Sequence, residues 1–141
     1  MAVIDFVIDN SVAAGWVLEN RATAYSTHIA RRLQTQSACA PALWEAELTN
    51  VLRTACIRQR LDAQRAQQML LRIDDMSIEV DRHPVPRSEL LALALRFGLT
   101  TYDAAYLELA LRRQLPIATL DQALANAAMA SGAGLVVLPV N

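Results

Sequence analysis

The sequence predicts an α/β domain built on a parallel sheet, and three observations carry that reading. Short apolar runs alternate with longer helical patterns along the whole chain, which favours strand–helix–strand units over hairpins. At 141 residues, with 54% hydrophobic and 19% charged positions, the chain suits one folded domain, 1–141, with a proper core. The first apolar run, Val3-Ile4-Asp5-Phe6-Val7-Ile8, stops at an acid, Asp9, and Asn10 and Ser11 follow. Ligands of an open parallel sheet bind outside the carboxyl ends of its strands, so Asp9 stands where a site is expected.

The elements follow in order. Residues 12–19 read as a short helix and residues 22–35 as a longer one, with Ile29, Ala30 and Leu33 on its apolar side. Residues 37–41 form a short strand closed by Pro41. Trp44, Leu48, Val51, Leu52 and Ala55 recur at helical spacing and predict an amphipathic helix over 42–59. A further helix spans 63–74, with Asp62 as its N-cap and Ala66, Met69, Leu70 and Ile73 facing inward. Residues 77–80 alternate like a strand. His83-Pro84-Val85-Pro86 is a stiff connector, and helix 87–97 stops at Gly98. Thr100 and Thr101 open a helix to about Arg113, 116–119 is a strand, Asp121 begins a helix to about Ala130, and 135–138 is the last strand. The count is about five strands.

Composition removes several functions. Every one of the 13 basic residues is arginine, which excludes a P-loop lysine and a lysine Schiff base. A net charge of −1 gives no global attraction to nucleic acid, although metal bound at an acidic centre would leave the remainder net basic. No apolar run approaches the ~20 residues of a membrane span, and the N-terminus lacks a basic segment followed by an apolar core. Cys39 and Cys56 form no C-x-x-C pair and read as reduced, buried thiols of a cytoplasmic protein.

Three acids stand at equivalent places. Asp9 follows the first strand, Asp103 lies at the start of a helix, and Asp121 follows Ile117-Ala118-Thr119. Glu47, in the first turns of the helix after Pro41, is a fourth. Each also has an ordinary reading: Thr100-x-x-Asp103 matches a capping box, Asp121 an N-cap, Asp9 a turn, and Glu47 a solvated helix residue. A bare cluster is costly, since two carboxylates about 5 Å apart repel by about 3 kcal/mol at an effective dielectric near 20. A divalent cation removes that cost. Oxygen-only ligands select a hard ion, Mg²⁺ or Mn²⁺, and metal-assisted phosphodiester hydrolysis follows. His28 and His83 have no partner at ligand spacing.

Four motifs then resemble one family. Val7-Ile8-Asp9-Asn10-Ser11-Val12, Ala40-Pro41-Ala42-Leu43-Trp44-Glu45-Ala46-Glu47-Leu48-Thr49-Asn50-Val51-Leu52, Leu99-Thr100-Thr101-Tyr102-Asp103-Ala104-Ala105-Tyr106 and Ile117-Ala118-Thr119-Leu120-Asp121 resemble, in order and spacing, the PIN domain of VapC-type ribonuclease toxins. The resemblance covers essentially the whole chain. It implies a central parallel sheet flanked by helices, with an acidic metal site of Asp9, Glu47, Asp103 and Asp121 supported by Ser11, Asn50 and Thr119. It also implies an RNA substrate, a VapB-type antitoxin partner and a homodimer. Periodicity alone does not choose between Glu45 and Glu47, both at edges of the apolar face; the family's spacing to an asparagine selects Glu47 through Asn50. Glu108 sits two turns inside its helix, away from the edge. Arg53, Arg58, Arg112 and Arg113 are candidates for holding a phosphate backbone, because they share helices with the acids.

Other classes fit less well. Haloacid-dehalogenase-like phosphatases place a second aspartate where this chain has Ser11, and response-regulator receivers need a lysine. A binding module whose acids are all caps, and a PIN-fold nuclease acting on structured DNA, are the alternatives that experiment separates.

Overall fold

Four short strands form a sheet in the order β3-β2-β1-β4, every neighbour parallel, in a computed structural model that describes residues 3–139. They are β1 (Phe6–Ile8), β2 (Ala38–Pro41), β3 (Ile78–Asp81) and β4 (Ile117–Ala118). Phe6, Val7, Ile8, Ala38, Cys39, Ala40, Ile117 and Ala118 are all fully buried, as strands with helices on both faces require. The connecting elements are α1 (Asn10–Val17), a 3₁₀ turn (Glu19–Arg21), α2 (Ala24–Arg32), α3 (Leu43–Ile57), α4 (Ala63–Asp74), α5 (Arg87–Phe97), α6 (Thr101–Arg113) and α7 (Gln122–Ser131).

This order sets the place of the site. The chain runs from β1 outward to β2 and β3, then returns to the other side of β1 for β4. The switch point therefore lies between β1 and β4, and there the crevice at the strand ends opens. Registers pair Ile8 with Ala118, and the Asp9 amide donates to the Ala118 carbonyl at 3.0 Å. Asp9 and Thr119 thus leave the sheet side by side.

The caps follow local chemistry. Thr23 and Ser26 exchange hydrogen bonds in a capping box that starts α2. Asp62, Thr100 and Asp121 accept from the third amide of their helices. Gly98 ends α5 with φ of 67°, a conformation that glycine adopts without cost. Gly15 is needed for a different reason. A Cβ there would lie 2.7 Å from Ser26 Oγ, so α1 and α2 approach as closely as they do only through glycine.

Two expectations need correction. α1 starts at Asn10 rather than residue 12, and α2 is the shorter segment Ala24–Arg32 preceded by the 3₁₀ turn. The fifth strand at 135–138 reduces to a single parallel bridge, Ile117 with Leu135. Its would-be partner β4 is two residues long and turns toward Asp9 after Ala118, so no ladder is left for Val137 and Leu138, which are exposed. Both cysteines are free, Cys39 buried and Cys56 only half-buried.

Candidate metal centre

Asp9 is buried, at 5% exposure, and two hydroxyls hold it. Ser11 Oγ and Thr119 Oγ1 each donate to Asp9 Oδ2 at 2.7 Å. The same hydroxyls accept from the next loop: Ser11 Oγ from the Leu120 amide at 2.9 Å, Thr119 Oγ1 from the Asp121 amide at 3.0 Å. Each hydroxyl has one proton, and Asp9 takes both. The 3.3 Å approach of Ser11 to Thr119 is therefore a contact between two acceptors. This stitching ties the end of β1 to the loop after β4 and leaves Asp9 Oδ1 without a side-chain partner among the described residues. Burial raises the Asp9 pKa, while the two hydroxyls and the Asn10 and Ser11 amides favour the anion. One residue on, the side-chain oxygen of Asn10 is buried and has no hydrogen-bond partner.

The other three acids stand near Asp9, two from helices and one from a helix cap, close enough for their charges to act on one another. Asp121 caps α7, its Oδ2 accepting from the Leu124 amide at 2.9 Å. Asp103 is in the first turn of α6, close enough to Asp121 to share a proton. Its pKa is pushed up to about 6, first by burial and then by the charges of Asp121, Asp9 and Glu47. Glu47 projects from α3, and Tyr106 Oη donates to its Oε1 at 2.6 Å. Burial raises the Glu47 pKa, the tyrosine lowers it, and the charge of Asp9 raises it again. Among the described residues, none of the four acids has an arginine or histidine in ion-pair contact.

Such a set suits a hard cation. The donors are all oxygen, Asp9, Glu47 and Asp121 each have one oxygen fixed by a protein hydrogen bond, and no protein cation offsets their charge. Among the described residues, no three acidic, histidine or cysteine side chains already stand where they could hold a metal ion together. The four carboxylates share a neighbourhood without yet forming a coordination shell, as mutual repulsion dictates.

The remaining predicted residues divide. Ser11 and Thr119 join Asp9 as above. Asn50 does not hydrogen-bond to any acid; it is exposed, farther along α3. Glu45 points outward and pairs with Arg82 at 3.0 Å, which separates it from Glu47. Arg112 and Arg113 are not free for a polyanion. Arg112 binds Glu108 at 2.5 Å and Asp81 at 3.0 Å, and Arg113 binds Glu79 at 2.9 Å. Neither His28 nor His83 joins the acids. Sequence reasoning misses Tyr106, fully buried and bonded to Glu47. The signal for it is its place three residues after Asp103, on the same side of α6. A tyrosine inside an apolar helix face reads first as core.

Comparison with known proteins agrees with this fold. The family model described as "PIN domain" matches residues 6–129. Ribonuclease VapC12 of Mycobacterium tuberculosis, from strains CDC 1551 / Oshkosh and ATCC 25618 / H37Rv, is 31% identical over 120 residues, which span 85% of this chain and 89% of that protein. The crystal structure of PAE2754 from Pyrobaculum aerophilum superposes with a TM-score of 0.69 at 23% identity, covering 88% of this chain and 84% of that one. The last of these speaks to the fold alone.

Proposed function

The chain belongs to the PIN domain family, and on that premise we propose that it is a divalent-metal-dependent endoribonuclease, the toxin of a toxin–antitoxin pair. Its relative is a ribonuclease, and the observation that carries the reading is the set of four crowded carboxylates with no protein cation among them. Asp9, Asp103, Asp121 and Glu47 would hold Mg²⁺ or Mn²⁺. When bound, such an ion lowers the pKa of a coordinated water and offsets charge on the scissile phosphate.

The protein's own residues set the stage for that chemistry. Ser11 and Thr119 fix the carboxylate plane of Asp9 from one side, so that its free oxygen keeps one direction. Tyr106 does the same for Glu47. Asp103 holds a proton below about pH 6 and gives it up above, so cation affinity rises as pH passes through that range. No side chain acts as nucleophile. The partners of this reading are RNA, a VapB-type antitoxin and a second copy of the chain. No helix among the described residues is long and apolar enough to cross a membrane.

The test is incubation of the purified protein with total cellular RNA, with Mg²⁺ or with chelator, followed by mapping of the ends. The reading expects metal-dependent cuts that leave a 5′-phosphate and a 3′-hydroxyl. Cyclic phosphate ends that persist with chelator would overturn it.

A further inference from the structure

We propose that a cleft between α3 and the 3₁₀ turn binds the sugar–phosphate backbone of the RNA strand that leads away from the acidic centre. This rests on the nuclease reading above and extends it to a path for the substrate. The cleft is a cavity of about 220 Å³ with Arg21, Arg58, Arg60, Asn20, Asn50 and Thr54 among its lining, and no acid lines it. A second cavity of about 560 Å³ continues it past Arg60 to Arg65, with Glu19 as the one acid in its lining.

The arginines here differ from those on α6. Arg21, Arg58 and Arg60 are exposed and have no ion pair or side-chain hydrogen bond among the described residues. Arg58 and Arg60 flank Gln59, whose φ of 58° reverses the chain after α3 and sets both at the cleft. Their positive charge is unpaired among the described residues.

Continuity with the acids comes from helix geometry. Glu47, Asn50, Thr54 and Arg58 are spaced by three, four and four residues, which sets the first three on one stripe of α3 that leads to Arg58 at its C-cap. At 1.5 Å per residue the stripe from Glu47 to Arg58 runs about 16 Å, more than a single phosphate needs. Arg53 falls off this stripe. Apolar Val51 and Ala55 floor the cleft and polar groups rim it, but no aromatic residue lines it. Recognition here is therefore by phosphate contact rather than base stacking, and adds affinity without reading sequence.

The experiment measures binding of a fluorescein-labelled single-stranded RNA by anisotropy, in chelator, across a salt series, and cleavage of the same RNA in Mg²⁺. Relative to parent, R58Q/R60Q should bind about tenfold more weakly, with a salt slope lower by about 1.4, since each phosphate contact on a single strand contributes about 0.7. R58K/R60K should retain the slope. R87Q/R96Q, an equal loss of charge on α5, should leave binding near parental. In Mg²⁺ the R58Q/R60Q protein should show a raised KM with kcat retained. Unchanged RNA affinity in R58Q/R60Q, or an equal loss in R87Q/R96Q, overturns the proposal. So does unchanged RNA affinity with lost binding to a poly-glutamate peptide, which makes the cleft a contact for an acidic protein. Absence of cleavage by the parent, with RNA binding that still depends on Arg58 and Arg60, counts against the nuclease reading and leaves the cleft as an RNA site.

Discussion

Two acidic clusters share helix α6, and the chain treats them in opposite ways. Toward its C-terminal end, Glu79, Asp81 and Glu108 meet Arg112 and Arg113 in a closed network with contacts of 2.5–3.3 Å. At its N-terminal end, Asp103 meets Asp9, Glu47 and Asp121 with no arginine. The protonation of the two groups diverges accordingly. Burial works against the charge of Asp81, yet Arg112 holds its carboxyl below the ordinary range; burial and three like charges push Asp103 up to about 6. An acid cluster that is structural is neutralised from within. One left without a protein cation keeps its repulsion in the folded state, and that repulsion is what an external cation relieves.

The comparison breaks first on catalysis. Asp9→Asn, Asp121→Asn or Glu47→Gln should each reduce RNA cleavage by more than about a hundredfold, beyond the 10–100-fold typical of an orienting partner. Glu45→Gln should leave most activity, because that carboxylate is engaged in an exposed pair with Arg82. Steady-state cleavage of one defined RNA decides this, and the reverse order for the two glutamates would place the site on the wrong face of α3. Tyr106→Phe comes next: it removes the hydroxyl that orients Glu47, and cleavage should fall by about 10–100-fold with the fold kept.

The closed network breaks on stability instead. Arg112→Ala leaves Glu108 without its cation and Asp81 with Arg113 alone, and unfolding in urea should show a loss of about 2–3 kcal/mol, below the 3–5 kcal/mol of a fully buried pair because Arg112 is partly exposed. Cleavage by the folded fraction should be unaffected, since none of the four site acids touches Arg112.

The sequence makes one of these regions legible and hides the other. Asp9 and Asp121 can be found because each follows a strand and parallel strands bring their carboxyl ends to one edge, whereas Asp103 follows α5 and shows only as an acid at a helix start. Glu47 cannot be told from Glu45 by periodicity. Long-range partners separate them, Tyr106 inward and Arg82 outward. The same holds for Arg112 and Arg113, which read as helix-surface cations until β3 brings Asp81 beside them. The fifth strand is overread because a β-branched run signals extended backbone but not the length of its neighbour. Asn50 joins the acids only through the family resemblance, whereas its neighbours in the fold are Arg21 and Arg58.

A smaller effect sharpens the contrast through pH. Asp103 has a folded pKa raised from 3.8 to about 6, so its contribution favours the fold below its unfolded pKa and is lost as pH rises through the folded one. The difference in Tm between Asp103→Asn and parent, in chelator, should therefore be small near pH 4 and grow in favour of the variant toward pH 7. The opposite trend would mean that the carboxylate acts as a stabilising charge at the start of α6.

The most direct measurement adds metal to that pair of proteins. Thermal melts of parent and Asp103→Asn at pH 7, in chelator and in Mn²⁺, ask whether the open cluster is a cation site. The account predicts that the variant melts at or above the parent in chelator, that Mn²⁺ raises the Tm of the parent, and that it raises the variant much less. Melts that ignore Mn²⁺ in both proteins, with the variant a few tenths of a kcal/mol less stable as loss of a first-turn charge predicts, would contradict it and leave Asp103 an ordinary helix-end residue.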